Sequence, residues 1–190
     1  MVFADVLPVG RLKTHAWLYD SFLVLGGSFL IALSAQVAIP LPFSPVPITG
    51  QTFAVLVVAM LLGRWRGTAA ILAYLAEGIL GLPVFAGGVA GVAKILGPTG
   101  GYLVSFLPAA YLVGYLAEKG WDRKVSTTFL AMILGNIVIF GFGALWLAKF
   151  VGINHAFSLG VIPFLAGDVV KIGLATLALP GAWKLLGEKK

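Results

Sequence analysis

Residues 126–150 read STTFLAMILGNIVIFGFGALWLAKF, a run in which Lys149 is the one charged side chain. A membrane-spanning helix needs about 20 mostly apolar residues, so this run is long enough to cross a bilayer. The whole chain agrees, because 60% of its 190 residues are hydrophobic and only 11% are charged. Soluble globular domains are about 45–50% apolar and about 25% charged. The composition therefore excludes an ordinary soluble protein, and it excludes disorder, which requires low hydrophobicity.

Five further apolar segments come close to the length of a span, and they cover residues 17–39, 48–62, 68–82, 102–117 and 161–186. Their apolar residues are continuous rather than alternating, which favours helices over a β-barrel. The first segment is too long for the apolar region of a cleavable signal peptide. We predict an all-α membrane protein whose residues 1–190 form a single bundle of six transmembrane helices, with residues 1–16 as a cytoplasmic N-terminal segment.

The basic residues give the bundle a predicted orientation. If the N-terminus is cytoplasmic, every inner loop carries basic residues, whereas the outer side carries at most Lys94 and Lys149. Cytoplasmic loops are enriched in lysine and arginine, so both termini are predicted to be cytoplasmic. The basic residues assigned to the inner side are Arg11, Lys13, Arg64, Arg66, Lys119, Arg123, Lys124, Lys184, Lys189 and Lys190.

The connections assigned to the outer side are long and apolar. Residues 40–47 contain four prolines, which cannot continue a helix and favour extended backbone. Residues 83–101 are rich in glycine, and residues 151–160 form the third outer connection. Because the inner loops are short and charged, we expect the functional site at the outer side.

Three ionisable residues lie within the predicted spans, namely Glu77, Asp168 and Lys171. Such residues are costly in a bilayer and by default mark a functional site. Asp168 and Lys171 are three residues apart and share one helix face. At 1.5 Å per residue, Asp168 lies roughly 10 Å and Glu77 roughly 8 Å below the outer end of their helices. The alternative is that Asp168 and Lys171 only neutralise each other, and spacing alone does not decide between the two.

The sequence contains little that indicates catalysis. The chain has no cysteine, no Walker A sequence and no zinc-protease or serine-hydrolase motif. We therefore expect no enzyme, no metal site, no cofactor and no nucleic-acid partner. An intramembrane enzyme that uses Glu77 and Asp168 as an acid–base pair would lack a nucleophile, and a purely structural scaffold would leave the intramembrane charges unexplained.

Four motifs in order carry a resemblance to a known family. They are PVPITGQT at 45–52, GLPVFAGG at 81–88, GPTGGYL at 97–103 and PFLAGDVVK at 163–171. These motifs closely resemble the BioY family, the biotin-binding S components of energy-coupling-factor (ECF) transporters. The resemblance extends over nearly the whole chain from about residue 20 and implies a six-helix subunit of the cytoplasmic (inner) cell membrane that binds biotin with high affinity for uptake.

The resemblance also implies a site and partners. Lys171 is expected at the biotin carboxylate or a nearby polar edge, and Asp168 with Glu77 at the ureido N–H groups, with the two ends open to exchange. The full set of expected ligand-binding residues is Gln51, Tyr74, Glu77, Phe85, Gly88, Tyr102, Asp168 and Lys171. Expected partners are membrane lipid, a transmembrane coupling subunit and ATPase subunits, with the small residues Ser28 and Ala32 facing the coupling subunit or, equally, packing inside the bundle. Another vitamin, such as thiamine or riboflavin, is the alternative ligand.

Overall fold

The computed structural model describes residues 1–6 and 16–185. In chain order its elements are α1 (Phe3–Val6), α2 (Ala16–Gln36), β1 (Ala38–Leu41), β2 (Ser44–Thr49), α3 (Gln51–Ile79), α4 (Val92–Leu96), α5 (Gly100–Glu118), α6 (Val125–Val151), α7 (Ile153–Gly160) and α8 (Ile162–Leu185). Most of the predicted N-terminal segment and the basic residues Arg11, Lys13, Lys189 and Lys190 lie outside the described residues.

Across these two described ranges, five helical segments are long and apolar enough to cross a membrane: Ala16–Gln36, Gln51–Ile79, Gly100–Glu118, Val125–Val151 and Ile153–Leu185. The exposed side chains of these segments include Phe22 (79% exposed), Leu145 (68%) and Leu177 (71%). Apolar surface of this extent suits lipid rather than water. The chain is therefore a multi-pass helical membrane protein.

The second of these segments, α3, folds back on itself at Gly63. Gly63 has φ 83° and ψ 177°, which is not helical and which a residue with a Cβ rarely adopts. The Nε2 atom of Gln51 lies 2.6 Å from the hydroxyl of Tyr74, although 23 residues of straight helix would separate them by roughly 35 Å. The two arms of α3 are therefore antiparallel neighbours, and they correspond to the predicted segments 48–62 and 68–82.

The connections are more structured than their sequences indicate. The proline-rich stretch has the predicted extended backbone, but it forms an antiparallel hairpin in which Ala38 pairs with Thr49 and Ile39 with Ile48. The first predicted span consequently ends at Gln36 rather than at residue 39. Residues 151–160, predicted as a connection, contain α7, and the glycine-rich connection contains the one-turn helix α4.

The core lies where α5 packs against both arms of α3 and against α6. Gly114 of α5 approaches the backbone of Gly63 and Arg64 so closely that a Cβ there would lie 2.6 Å from it. Small residues at such crossings let membrane helices approach closely, which increases dispersion contact between them. The centre is filled by fully buried side chains, among them Ile31, Leu56, Met60, Ile71, Tyr74, Val113, Met132 and Ile139.

The bundle has two distinct ends, which we call the turn end, at the α3 turn around Gly63, and the loop end, at the β-hairpin. At the turn end, α1 is tied to the α3 turn and to α8, because Arg66 Nη1 contacts Asp5 Oδ1 at 2.6 Å and the ring of Phe3 meets that of Trp183 edge-on. At the loop end, Ser44 of the β-hairpin donates a hydrogen bond to the Leu159 carbonyl of α7 at 2.8 Å. The β-hairpin, residues 80–99 and α7 together cover the loop end.

Candidate functional site

A cavity opens beneath the loops at the loop end. It holds about 570 Å³ of space free of protein atoms, its open mouth included. Its wall is mostly apolar with a few polar groups. The lining residues are Val46, Pro47, Thr49, Gln51, Thr52, Phe85, Ala86, Lys94, Thr99, Tyr102, Leu103, Phe106, Phe140, Phe164, Asp168 and Lys171.

The main polar feature of this cavity is a three-residue cluster formed across α3 and α8. Lys171 Nζ donates to Asp168 Oδ1 at 2.9 Å and to Thr52 Oγ1 at 2.9 Å. Thr52 Oγ1 lies 3.4 Å from the same Asp168 oxygen. The spacing of three residues along α8 puts the acid and the amine on one face, as the sequence predicts. The contact with Thr52 joins α8 to the first turn of α3.

The Asp168 carboxylate keeps one oxygen free for another donor. Its side chain is 6% exposed, and Oδ2 is buried without a hydrogen-bond partner among the described residues. Thr99 Oγ1, which also belongs to a lining residue, is likewise buried without a hydrogen-bond partner among the described residues. Buried polar atoms are normally hydrogen-bonded, so an unpaired oxygen in a cavity wall marks a position for a ligand or water donor.

Lys94 lines the cavity from α4, inside the glycine-rich connection. It forms no ion pair with any carboxylate of residues 1–6 or 16–185. Burial lowers the pKa of its ammonium group below the usual lysine range, because desolvation disfavours the charged form. An unpaired, partly buried cation in a ligand cavity is suited to bind an anion.

Gln51 and Tyr74 belong to a chain of hydrogen bonds that supports the cavity wall. Thr49 Oγ1 donates to Gln51 Oε1 at 3.0 Å, and Gln51 Nε2 donates to the Tyr74 hydroxyl at 2.6 Å. Tyr74 is fully buried and packs edge-on against Phe85, with ring centroids 5.6 Å apart. Gln51 and Phe85 line the cavity, whereas Tyr74 lies behind them and fixes both.

Tyr102 presents its ring rather than its hydroxyl to the cavity. Its hydroxyl donates to the Gly160 carbonyl at 2.8 Å, which attaches α5 to the end of α7. The ring fits against Gly143, where a Cβ would lie 2.2 Å from the ring atoms. Tyr102 therefore supplies an apolar surface at the position where sequence reasoning places a ligand contact.

Besides Tyr74, two more of the expected ligand residues, Glu77 and Gly88, do not line the cavity. Glu77 accepts a hydrogen bond from Ser28 Oγ at 2.7 Å, which ties α3 to α2 away from the cavity. Gly88 lies in the loop with φ 71°, and the atom nearest to a Cβ built on it is Gln36 Oε1 at 4.0 Å. Neither residue is part of the cavity wall.

The expected coupling face on α2 needs a correction. Ser28 is fully buried and Ala32 is 9% exposed, so both belong to the packing inside the bundle rather than to an external surface. The reason is the close approach of α2 to α3, where a Cβ at the neighbouring Gly27 would lie 2.9 Å from that of Ala70. Of the two interpretations of these small residues, the structure favours internal packing.

Sequence reasoning missed several wall residues. Thr52 is absent from the expected set, although it directly follows Gln51 and contacts both charged residues of the cluster. Lys94 was visible as one of the few basic residues assigned to the outer side, and that rarity was the available signal. Thr99 lies within the GPTGGYL motif. For Phe106 and Phe140 no sequence signal separates them from other apolar helix residues.

Together the fold and the site define a multi-pass membrane protein with a small, mostly apolar ligand cavity under the loops at one end of its helical bundle. The sequence model of the BioY family matches residues 11–188. The chain therefore belongs to the BioY family.

Individual relatives agree. The chain is 41% identical over 148 residues to the probable biotin transporter BioY of Pyrococcus horikoshii, an alignment that covers 78% of this chain and 86% of that protein. It is 39% identical over 159 residues to the biotin transporter BioY of Thermotoga maritima, covering 82% and 91%. Its structure is similar, with a TM-score of 0.78 and 28% identity, to the crystal structure of the S-component for biotin from an ECF-type ABC transporter, covering 88% of this chain and 92% of that one.

Proposed function

We propose that this chain binds biotin in the cavity at the loop end and serves as the substrate-binding subunit of an ECF-type transporter for biotin uptake. The named relatives are a probable biotin transporter and a biotin transporter, and the structural neighbour is an S-component for biotin. The observation that carries the proposal is the composition of one cavity wall: an acid–amine pair with a free carboxylate oxygen, a second and unpaired lysine, and apolar surface between polar groups.

The chemistry of the ligand matches this wall. Biotin has a cyclic urea with two N–H donors and one carbonyl acceptor, an apolar bicyclic body, and a carboxylate on a flexible chain. Asp168 Oδ2 accepts from a urea N–H, and Lys171 donates to the urea carbonyl. The neighbouring acid and amine therefore recognise the donor and the acceptor of one urea group. The aromatic residues Phe85, Phe106 and Phe164 surround the apolar body.

The carboxylate is assigned to Lys94 rather than to Lys171. Asp168 and Lys171 are 2.9 Å apart and therefore contact the same end of a ligand, whereas the urea and the carboxylate lie at opposite ends of biotin. The Lys171 charge is already balanced by Asp168, and Lys94 has no such counterion within the described ranges. Glu77, which is bonded to Ser28, has no role at the urea in this assignment.

The same proposal includes the arrangement in the membrane. The two arms of α3 each cross the bilayer, which together with the other four segments makes six transmembrane helices in one domain of the cytoplasmic membrane. Both termini are then cytoplasmic and the cavity faces outward, since the basic side chains of Arg64, Arg66, Lys119 and Lys184 lie at the turn end. Transport requires a transmembrane coupling subunit and ATPase subunits as partners.

Equilibrium binding to the purified, folded protein tests the proposal. We expect biotin to bind at submicromolar concentration, and thiamine and riboflavin not to compete. An analogue in which a hydroxymethyl group replaces the carboxylate should bind about tenfold or more weakly, because it loses one charge-assisted hydrogen bond. Failure of biotin to bind, or displacement of biotin by the other vitamins, would reject the assignment of the ligand.

A further inference from the structure

The one-turn helix that carries Lys94 cannot hold its own position. α4 has five residues and none of them is buried, with Val92 50% and Leu96 63% exposed. Isolated helices shorter than about 12 residues are marginal even in favourable sequences. The location of Lys94 in the cavity wall therefore depends on contacts with the rest of the fold, which are the packing of Ile95 against the core and the hydrogen bonds at the two ends of α4.

Each end of α4 is anchored by a hydrogen bond to a residue outside the connection. Before the helix, the Gly91 N–H donates to the Gly78 carbonyl of α3 at 2.7 Å. After the helix, the Gly97 carbonyl accepts the indole N–H of Trp146, from α6, at 2.9 Å. The Gly100 N–H also donates to this carbonyl at 3.0 Å. Gly100 is the first residue of α5, which directly follows the connection, so this bond is local in sequence.

Trp146 is itself held in one place. Its Cβ fits against Gly101, where an added Cβ would lie only 2.2 Å away, and its Nε1 lies 3.3 Å from the corresponding position at Gly100. The ammonium group of Lys149 lies 4.2 Å from the ring centroid. The indole packs between α5 and α6, so it provides a fixed donor to the Gly97 carbonyl.

Trp146 does not line the ligand cavity. It lines a separate apolar groove, together with Ile95 and Leu96 of α4, on the other side of the one-turn helix. Any effect of Trp146 on a ligand in the cavity is therefore indirect, and it passes through α4 or through the start of α5, against which the indole packs.

We infer that Trp146 is a positioning residue for the anion-binding lysine: its indole N–H fixes the C-terminal end of α4 and thereby places the Lys94 ammonium at the carboxylate end of the cavity. This inference rests on the proposed function, because the anion is taken to be the carboxylate of biotin. It adds to that function a residue that touches no ligand and acts on one end of the ligand alone.

The test is Trp146→Phe, which keeps an aromatic ring and removes the donor. We expect biotin affinity to fall about five- to tenfold, the usual effect of losing one neutral hydrogen bond. The affinity for the hydroxymethyl analogue should stay within twofold of the wild-type value. In the double variant with Lys94→Ala, the Trp146→Phe change should cost nothing more, because the group that it positions is absent.

Trp183→Phe is the matched control. It also removes an indole N–H bond, the one to Asp122 Oδ2 at 2.6 Å, but at the turn end. We expect this control to leave the affinity for both ligands within twofold. Amide hydrogen exchange in residues 91–97 should be faster in Trp146→Phe and unchanged in the control.

Several outcomes separate the hypotheses. Equal losses for biotin and the hydroxymethyl analogue would overturn the inference, because Trp146 would then act on the whole cavity. Unchanged biotin affinity in Trp146→Phe would overturn it as well. If Trp146→Phe does not fold, Trp146→Leu is measured in the same way with the same expected selectivity. Absence of biotin binding to the wild-type protein would instead refute the proposed function.

Discussion

Asp168 and Glu77 are both carboxylic acids within apolar helices, and their surroundings differ. Asp168 lines the cavity, with one oxygen bonded to Lys171 and Thr52 and the other unpaired. Glu77 accepts a hydrogen bond from Ser28 at 2.7 Å and joins α3 to α2. An acid in a membrane helix is therefore not in itself a sign of a ligand site. What distinguishes Asp168 is that it lines the cavity and keeps one oxygen without a partner among the described residues.

The largest expected effect concerns Asp168→Asn. This change removes the negative charge that balances Lys171 and puts an amide donor where an acceptor is needed. We expect biotin affinity to fall about 100-fold, because the ligand loses a charged acceptor and the buried Lys171 ammonium loses its counterion. Isothermal titration calorimetry on folded protein measures it. An affinity within threefold of wild type would mean that Asp168 and Glu77 are equivalent after all.

The second-largest expected effect is a pH dependence of biotin affinity that arises from Lys94, at the carboxylate end of the cavity. Burial lowers the pKa of Lys94, and only the protonated amine attracts a carboxylate. Biotin affinity should therefore fall as pH rises, and the fall should begin below the pH at which an ordinary lysine deprotonates. We expect about a tenfold loss at the end of this titration.

Lys94→Arg provides the control for this titration, because arginine stays protonated throughout the range. Its affinity should not decline over the same pH interval. A decline of equal size in Lys94→Arg, or the same decline for the hydroxymethyl analogue, would assign the pH dependence to another group.

Thr52→Val tests the cluster that distinguishes Asp168 from Glu77. The change keeps the shape of the side chain and removes the hydroxyl that bonds to Lys171. We expect a three- to tenfold loss of biotin affinity. Thr68→Val is a matched control on the same helix, since Thr68 Oγ1 is buried without a partner among the described residues and is not part of the cavity wall. Equal effects of the two changes would count against the cluster.

The smallest expected effect on binding is that of Glu77→Gln. Biotin affinity should stay within twofold, whereas the stability of the bundle should fall slightly, because interhelical hydrogen bonds in membranes average about 0.6 kcal/mol. Ser28→Ala should lower the melting temperature as much as Glu77→Gln does. The double variant should lower it no further than either single variant, because both changes break the same hydrogen bond. A loss of biotin affinity in Glu77→Gln would place this acid at the ligand.

Much of the architecture follows from local rules that a sequence exposes. Apolar runs of sufficient length indicate helices in lipid, and four prolines in residues 40–47 exclude a helix there. The Asp168–Lys171 pair was predictable because three residues of helix always bring two side chains to one face. The helical segment within residues 151–160 was not, since that stretch is short and its helix is supported by contacts with α6, α8 and β2.

By itself, then, the amino-acid sequence determined that this is a helical membrane protein of the BioY pattern, with an acid and an amine side by side in its last helix. The tertiary structure alone decided that Glu77 meets Ser28, 49 residues away in the chain, and that Thr52 meets Asp168, 116 residues away. It also decided that Lys94 enters the cavity wall and that Trp146 holds its helix. The physical reason is that helix geometry sets contacts over three or four residues, whereas contacts between distant segments depend on how whole helices pack.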